Sequence, residues 1–239
     1  MKGRNIKLVG AAILASLFLP IAANGSVISF SDSVFLNTNW TVVEIRDTTP
    51  NDSFVFSATQ LGGGGNPGAY REVVNTLNTP TASSIASGHL FQGGIFDPGE
   101  DGTFLSLAMS LDGIGQPGGP AGAMAYGLLL EQGGNYFTFG PGQVLNGAGW
   151  MNFSQSGLVE SDFVAEGADT LDLSNSGSPV NVGFFVSNGT FGNPSTNTGG
   201  VDNWSFQITT TVIPIPAAAW LFISALGGLV VAKRKQLKA

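Results

Sequence analysis

Glu160, Asp162 and Glu166 are the residues whose types and spacing come nearest to chemistry. In an extended strand, even spacing puts all three carboxylates on one face. A carboxylic acid held neutral beside an ionised partner is the apparatus of glycoside hydrolysis. A solvated strand face gives the same pattern without any reaction. His89 is the only histidine, and no Gly-x-Ser-x-Gly elbow accompanies it, so a Ser-His-Asp triad has no support and His89 reads as structural. No cysteine is present, which removes thiol catalysis and thiolate metal sites. No enzymatic activity is therefore expected, and no residue is assigned a catalytic role.

Two binding chemistries remain. Asp97-Pro98-Gly99-Glu100-Asp101-Gly102 is an acidic loop able to offer oxygen ligands to Ca²⁺, and Asp97, Glu100 and Asp101, with Asp202, form the candidate set. An ordinary polar turn is the competing reading, since the loop fails the EF-hand pattern at Gly99 and Ala108. Trp40, Trp150 and Trp204 could stack on a pyranose, although each stands in a strand pattern where core packing explains it equally well. Convergence of these tryptophans with Glu160, Asp162 and Glu166 in one groove marks a sugar site; scattering marks a structural sandwich.

The elements that must position these residues are short apolar runs broken by Gly, Pro, Asn and Asp, in a chain with 35 glycines. Trp40–Arg46 alternates, with Thr41, Val43 and Ile45 on one face and Trp40, Val42, Glu44 and Arg46 on the other. Ser53–Thr59, Tyr70–Leu77 and Ser84–Gln92 follow as strands. In Thr103–Leu111 the residues Leu105, Leu107, Met109 and Leu111 make one apolar face. Gln132-Gly133-Gly134 signals a hairpin between Ala123–Glu131 and Asn135–Phe139. Gly149–Val159, Asp162–Glu166, Leu171–Leu173, Val180–Val186 and Val201–Thr211 complete the set. Ten or more strands without an internal helix or a fixed repeat predict an all-β fold, a single jelly-roll-like β-sandwich over residues 26–212.

Both ends read as addresses. Lys2, Arg4 and Lys7 precede the uncharged run Leu8–Leu19, and small residues follow at Ala22, Ala23 and Gly25. Residues 1–25 are thus a signal peptide for Sec export, cut before Ser26 or, as the competitor, after Ala23. At the other end Ala217–Ala232 is uncharged and about 24 Å long as a helix, short of a hydrocarbon core of about 30 Å. Pro216 suits the first helical position, Trp220 suits a membrane interface, and Lys233, Arg234 and Lys235 stop the segment on the cytoplasmic side. The alternative is a buried C-terminal core helix. Between these ends lie two basic residues, Arg46 and Arg71, and all sixteen Asp and Glu, so the formal charge is 2 − 16 = −14. Such a surface repels phosphate backbones and excludes nucleic acid as a partner.

Ile213-Pro214-Ile215-Pro216-Ala217-Ala218-Ala219-Trp220-Leu221-Phe222, followed by a Gly-containing apolar helix and a basic end, resembles the VPLPA variant of the PEP-CTERM sorting signal. The resemblance implies, for residues 213–239, a transmembrane helix with a basic tail. It also implies a Gram-negative envelope protein that is exported and held in the inner membrane. An exosortase-type enzyme would process it near Pro214, Ile215 and Pro216, and it would be delivered to the surface or matrix with exopolysaccharide. Gly200-Val201-Asp202-Asn203-Trp204-Ser205-Phe206 resembles the last strand of jelly-roll and concanavalin-like domains, including carbohydrate-binding modules. Glu160, Asp162 and Glu166 resemble the strand motif of concanavalin-like glycoside hydrolases, but with three residues in the second gap the motif is not met. The function expected is a non-enzymatic envelope or matrix protein, with a carbohydrate-binding module, with or without Ca²⁺, as the alternative and a glycoside hydrolase behind it.

Overall fold

The structure, a computed structural model, describes residues 25–52, 54–116 and 123–211. The signal-peptide residues before Gly25 and the sorting residues Pro214, Ile215, Pro216, Trp220, Lys233, Arg234 and Lys235 lie outside the described residues. The strands are β1 (Ser26–Asp32), β2 (Trp40–Asp47), β3 (Phe54–Gly65), β4 (Gly68–Leu77), β5 (Ala82–Phe96) and β6 (Phe104–Gly115), then β7 (Ala123–Gln132), β8 (Asn135–Leu145), β9 (Met151–Leu158), β10 (Val164–Ala165), β11 (Val180–Phe191) and β12 (Ser195–Thr210). They form two six-stranded antiparallel sheets. The first has the order β3-β4-β12-β6-β9, with β1 also paired to β12; the second has the order β10-β8-β7-β11-β5-β2. The expected two-sheet all-β sandwich is what the chain forms.

Strand β12 organises the first sheet. Its leading half pairs with β4 from Ser195 to Val201, its trailing half pairs with β1 from Trp204 to Thr210, and β6 runs along its other side. A bulge between Asp202 and Ser205, with Asn203 at φ 49°, inserts residues and shifts the inward parity. Ser195, Asn197 and Val201 are buried before it; Trp204, Phe206 and Ile208 are buried after it. The last three were expected to share a face, and they do.

The inter-sheet core joins those residues to Leu107, Met109 and Leu111 of β6, Leu128 and Leu130 of β7, and Val182, Phe184 and Val186 of β11. Leu105, expected on the same face of β6, lies at the strand end and is exposed.

On the outer face of the second sheet, Ile45, Ala86, Leu129 and Phe185 form a second buried cluster. Arg46 of β2 and Glu166, just after β10, meet in an ion pair at 2.5 Å. Those strands are opposite edges of the sheet, five gaps or about 24 Å apart if it were flat. The sheet therefore curls until its edges close over the cluster. Glycine permits this: a Cβ on Gly88 would stand 2.5 Å from Leu129 Cδ2, and one on Gly127 would stand 2.6 Å from Phe185 Cε1. A bulge between Glu44 and Arg46 turns Arg46 to the Ala86 side, away from the Trp40 face where strict alternation placed it.

Candidate functional site

The interior holds two polar groups of residues. In the first, Asp32 Oδ1 accepts the backbone N–H groups of Val34 and Phe35, each at 2.8 Å, and Oδ2 accepts Trp40 Nε1–H at 2.9 Å. Arg71, on β4, donates Nε–H to His89 Nδ1 at 3.2 Å and Nη1–H to Asn37 Oδ1 at 3.3 Å, and its guanidinium lies 5.9 Å from the Trp40 ring centroid. With Nδ1 accepting, the His89 proton sits on Nε2, facing Ser87 Oγ at 3.4 Å. Burial, reinforced by the Arg71 charge, holds His89 well below the usual histidine range; burial also pushes Arg71 down to about 10, against the opposing pull of Asp32. His89 is thus a neutral bridge between the sheets, stacked on Phe184 with ring centroids 4.5 Å apart.

The second group stands further along the same strands. Asn75 on β4 and Asn188 on β11 are each four residues (75 − 71, 188 − 184) past the level where Arg71 meets His89 beside Phe184. Both are buried, and neither amide oxygen nor amide nitrogen has a hydrogen-bond partner. Ser195 Oγ is likewise buried and unpartnered. Buried polar groups are nearly always satisfied, so each of the three is an exception.

A cleft of about 580 Å³ lies at the end of the sandwich where β4 leads to β5 and β11 leads to β12; Ser195 lines it, whereas Asn75 and Asn188 do not. Its polar lining is Ser83, Gln143, Thr190, Asn193, Ser195 and Asn197, with Leu145 and Phe191 as apolar walls. No titratable side chain lines it among the described residues. Thr190 Oγ1 donates to Asn193 O and accepts Asn193 N–H at 3.2 Å, which sets the turn carrying the rim. Phe191 on that rim is 99 % exposed. Its size is that of a small-ligand site, and hydroxyl and amide groups on both walls suit a neutral polyhydroxyl molecule.

The residues singled out from sequence scatter. Trp40 and Trp204 pack against each other edge-on at 5.0 Å and are 5 % and 1 % exposed, so neither has a face to offer a sugar. Trp150 is half-buried, edge-on to Tyr70, and donates Nε1–H to Gly64 O at 3.2 Å. Glu160 and Asp162 lie in a one-turn 3₁₀ segment, not a strand, because Asp162 Oδ2 accepts Val159 N–H at 2.8 Å and closes the turn. Glu160 accepts Leu173 N–H at 3.0 Å, while Glu166 is taken by Arg46 and Thr138. The three carboxylates share no face.

The proposed Ca²⁺ set is also divided. Asp97, Glu100 and Asp101 close their own turn: Asp97 O accepts the Glu100 and Asp101 N–H groups, and Asp101 Oδ2 accepts Asp97 N–H. Asp101 O accepts Thr210 Oγ1–H, whereas Asp202 lies eight residues (210 − 202) back along β12, about 26 Å away. Asp202 belongs instead with Asp112, its cross-strand partner. Asn66 N–H and Asn203 N–H bind its two oxygens, and Asn152 and Asn203 bind Asp112. Burial raises the Asp202 carboxyl above the usual range, and the nearby Asp112 adds to the rise. Among the described residues no group of three or more histidines, cysteines or carboxylates is placed to hold a metal ion.

The cleft went unseen in the sequence because its polar residues belong to no motif. The one local signal is Phe191 beside Gly192-Asn193-Pro194, a large aromatic at a turn.

No family model matches the chain, and no curated protein matches it. Among solved structures it is similar to the family 11 carbohydrate-binding module from Clostridium thermocellum, at 12 % identity over 80 % of this chain and 99 % of that one, with a TM-score of 0.42. It is similar to the CBM22-1 xylan-binding domain of Paenibacillus barcinonensis Xyn10C at 10 % identity over 80 % and 99 %, TM-score 0.38. An exo-β-agarase matches at 14 % identity over 74 % of this chain and 24 % of that one, TM-score 0.41.

Proposed function

We propose that residues 26–212 are a non-enzymatic glycan-binding domain, and that the cleft between the sheets is its site. The observation that supports this most is the uncharged lining with a buried, unpartnered hydroxyl at Ser195. A neutral saccharide supplies hydroxyls for Gln143, Asn193, Ser195 and Asn197, while Phe191 offers the flat apolar face on which a pyranose stacks. Glu160, Asp162 and Glu166 are each engaged by the protein's own groups, the Leu173 and Val159 N–H groups and Arg46, which supports binding over hydrolysis.

On this reading the domain is the cargo of an exported protein. Residues 1–25 send it through the Sec machinery, and residues 213–239 hold it in the inner membrane until an exosortase-type enzyme acts. It then reaches the cell surface or the extracellular polysaccharide.

Two experiments test the two halves. The purified full-length protein is applied to a glycan array in detergent; retention of neutral glycans, lost on Asn197→Ala, is expected, and no retained glycan removes the binding reading. Replacement of Pro214 and Pro216 by Ala is expected to trap a membrane-bound precursor in cells; unchanged processing removes the sorting reading.

A further inference from the structure

The two sheets treat their edges differently. In the second, Arg46 of β2 and Glu166 beside β10 close the edges on each other. In the first, the order ends at β3 and β9, with β1 as a third edge beside β12. The free side of β3 is partly taken: Asn37 Oδ1 accepts Gln60 N–H at 2.9 Å, and Val34 O accepts Gln60 Nε2–H at 2.7 Å. Strand β9 has no such cover. It pairs with β6 from Met151 to Leu158, and among the described residues no backbone hydrogen bond reaches its other side. Only Phe153 and Leu158 of its 8 residues are buried. Gln155 turns to the same side of the sheet as Phe153 and is exposed all the same, so the second sheet does not reach under this edge.

Free edges are blunted in soluble proteins by lysine, proline, an inward charge or a bulge. Strand β9 has no charged residue and no proline. Its one irregularity, the extra residue Gly157 between the Leu158 and Ser156 pairs, leaves Met151–Ser156 in unbroken register with β6. Charge elsewhere on the molecule makes this edge exceptional. Residues 26–212 carry 2 − 16 = −14, so two copies repel wherever their surfaces bear carboxylates. Beside β9 they do not: Ser154 stands in register with Ser110, Ser205 and Ser31 across four strands, and the row beside it, from Ser156 to Ser29, is also uncharged. Asp112, opposite Asn152, is buried and bound by Asn66, Asn152 and Asn203.

The unpaired N–H and C=O groups of a strand are complemented by another extended backbone. An antiparallel copy of the same strand about a twofold axis offers those groups in matching positions and brings no charge with it. We infer that β9 pairs with β9 of a second copy of this chain, joining two six-stranded sheets into one continuous sheet. The inference is independent of the glycan reading, and it gives each assembly two clefts.

The test is the mass of the full-length protein in detergent by light scattering, with the detergent contribution subtracted. Two chains per particle are expected. Ser154→Lys, at an exposed side chain, sets like charges against each other across the axis and is expected to give single chains; mixing it with Ser154→Glu is expected to restore pairs. Single chains for wild type at up to about 0.1 mM overturn the inference. Particles growing past two chains signal head-to-tail pairing with another edge such as β1, and overturn the twofold contact. Pairs that persist in Ser154→Lys place the contact elsewhere and overturn it too. Because the chain has no cysteine, single cysteines report the contact directly. At least one of Ser154→Cys, Gln155→Cys and Ser156→Cys is expected to form an intermolecular disulfide on mild oxidation, while Val55→Cys, equally exposed on β3, is not. No cross-link from the three, or an equal one from Val55→Cys, removes β9 as the contact.

Discussion

Two polar regions share the interior of one sandwich and are wired oppositely. Around Asp32, Arg71 and His89 each titratable group meets a partner, and the partners come from both sheets: β4 supplies Arg71 and β5 supplies His89. Four residues further along β4 and β11, Asn75 and Asn188 meet none, nor does Ser195 on β12. Burial costs both regions the hydration of their polar groups, but only the first recovers it within the protein. The first therefore reads as a joint between the sheets, whereas Ser195 in the second lines the cleft proposed as the glycan site. The division is not absolute, since Trp204 Nε1–H in the core beside Trp40 also lacks a partner.

Breaking the joint is expected to give the largest effect. Asp32→Ala removes the acceptor of three hydrogen bonds and the carboxylate facing the buried Arg71 charge, and a loss of about 3–5 kcal/mol in chemical denaturation is expected. A loss under about 1 kcal/mol would show that the guanidinium is compensated by other groups.

Acid probes the same joint. The folded His89 resists protonation well below the range of an unfolded histidine, about 6.5. Above that value both states are neutral there and stability does not depend on this residue. As pH falls from about 6.5 to 5 the unfolded chain takes up the proton and the folded one does not, so stability falls with a slope that steepens toward about 1.4 kcal/mol per pH unit. His89→Gln is expected to flatten that slope, measured by urea denaturation across the window. An unaltered slope assigns the acid sensitivity to other residues.

The second region should respond in the other direction. Asn188→Leu replaces an unpartnered amide by apolar volume and is expected to leave stability unchanged or raise it by about 1 kcal/mol. A loss of several kcal/mol would mean that the amide was satisfied after all. The smallest effect on folding is expected at the rim, where Phe191→Ala changes stability by less than about 0.5 kcal/mol and weakens glycan binding by an order of magnitude.

The sandwich was legible because its signals are local. Alternation at Leu107, Met109 and Leu111, the Gly133-Gly134 turn, and Trp204, Phe206 and Ile208 on one face each need only a few residues to be read. What stayed hidden depends on contacts across the fold. The strand holding Trp204 begins at Ser195, six residues (201 − 195) before the expected Val201, because pairing with β4 draws Ser195–Gly200 into the ladder despite their weak strand propensity. Those added residues include two that line the cleft. Arg46 changed faces through a bulge, and Glu166, read as one of three carboxylates on a shared face, is held by an arginine 120 residues away. Tryptophan was the natural candidate for sugar stacking, yet the packed core claimed Trp40 and Trp204, while among the described residues the exposed aromatic ring is Phe191.

The most direct test of the central claim compares full-length wild type with Ser195→Ala and Asp32→Asn in two parallel measurements, neutral-glycan titration and denaturant unfolding. The proposed cleft site and the joint predict a crossed pattern: Ser195→Ala loses about tenfold in affinity with stability within about 0.5 kcal/mol of wild type, while Asp32→Asn loses stability and, under folding conditions, binds as wild type does. Equal binding by wild type and Ser195→Ala, or no binding by either, would contradict it.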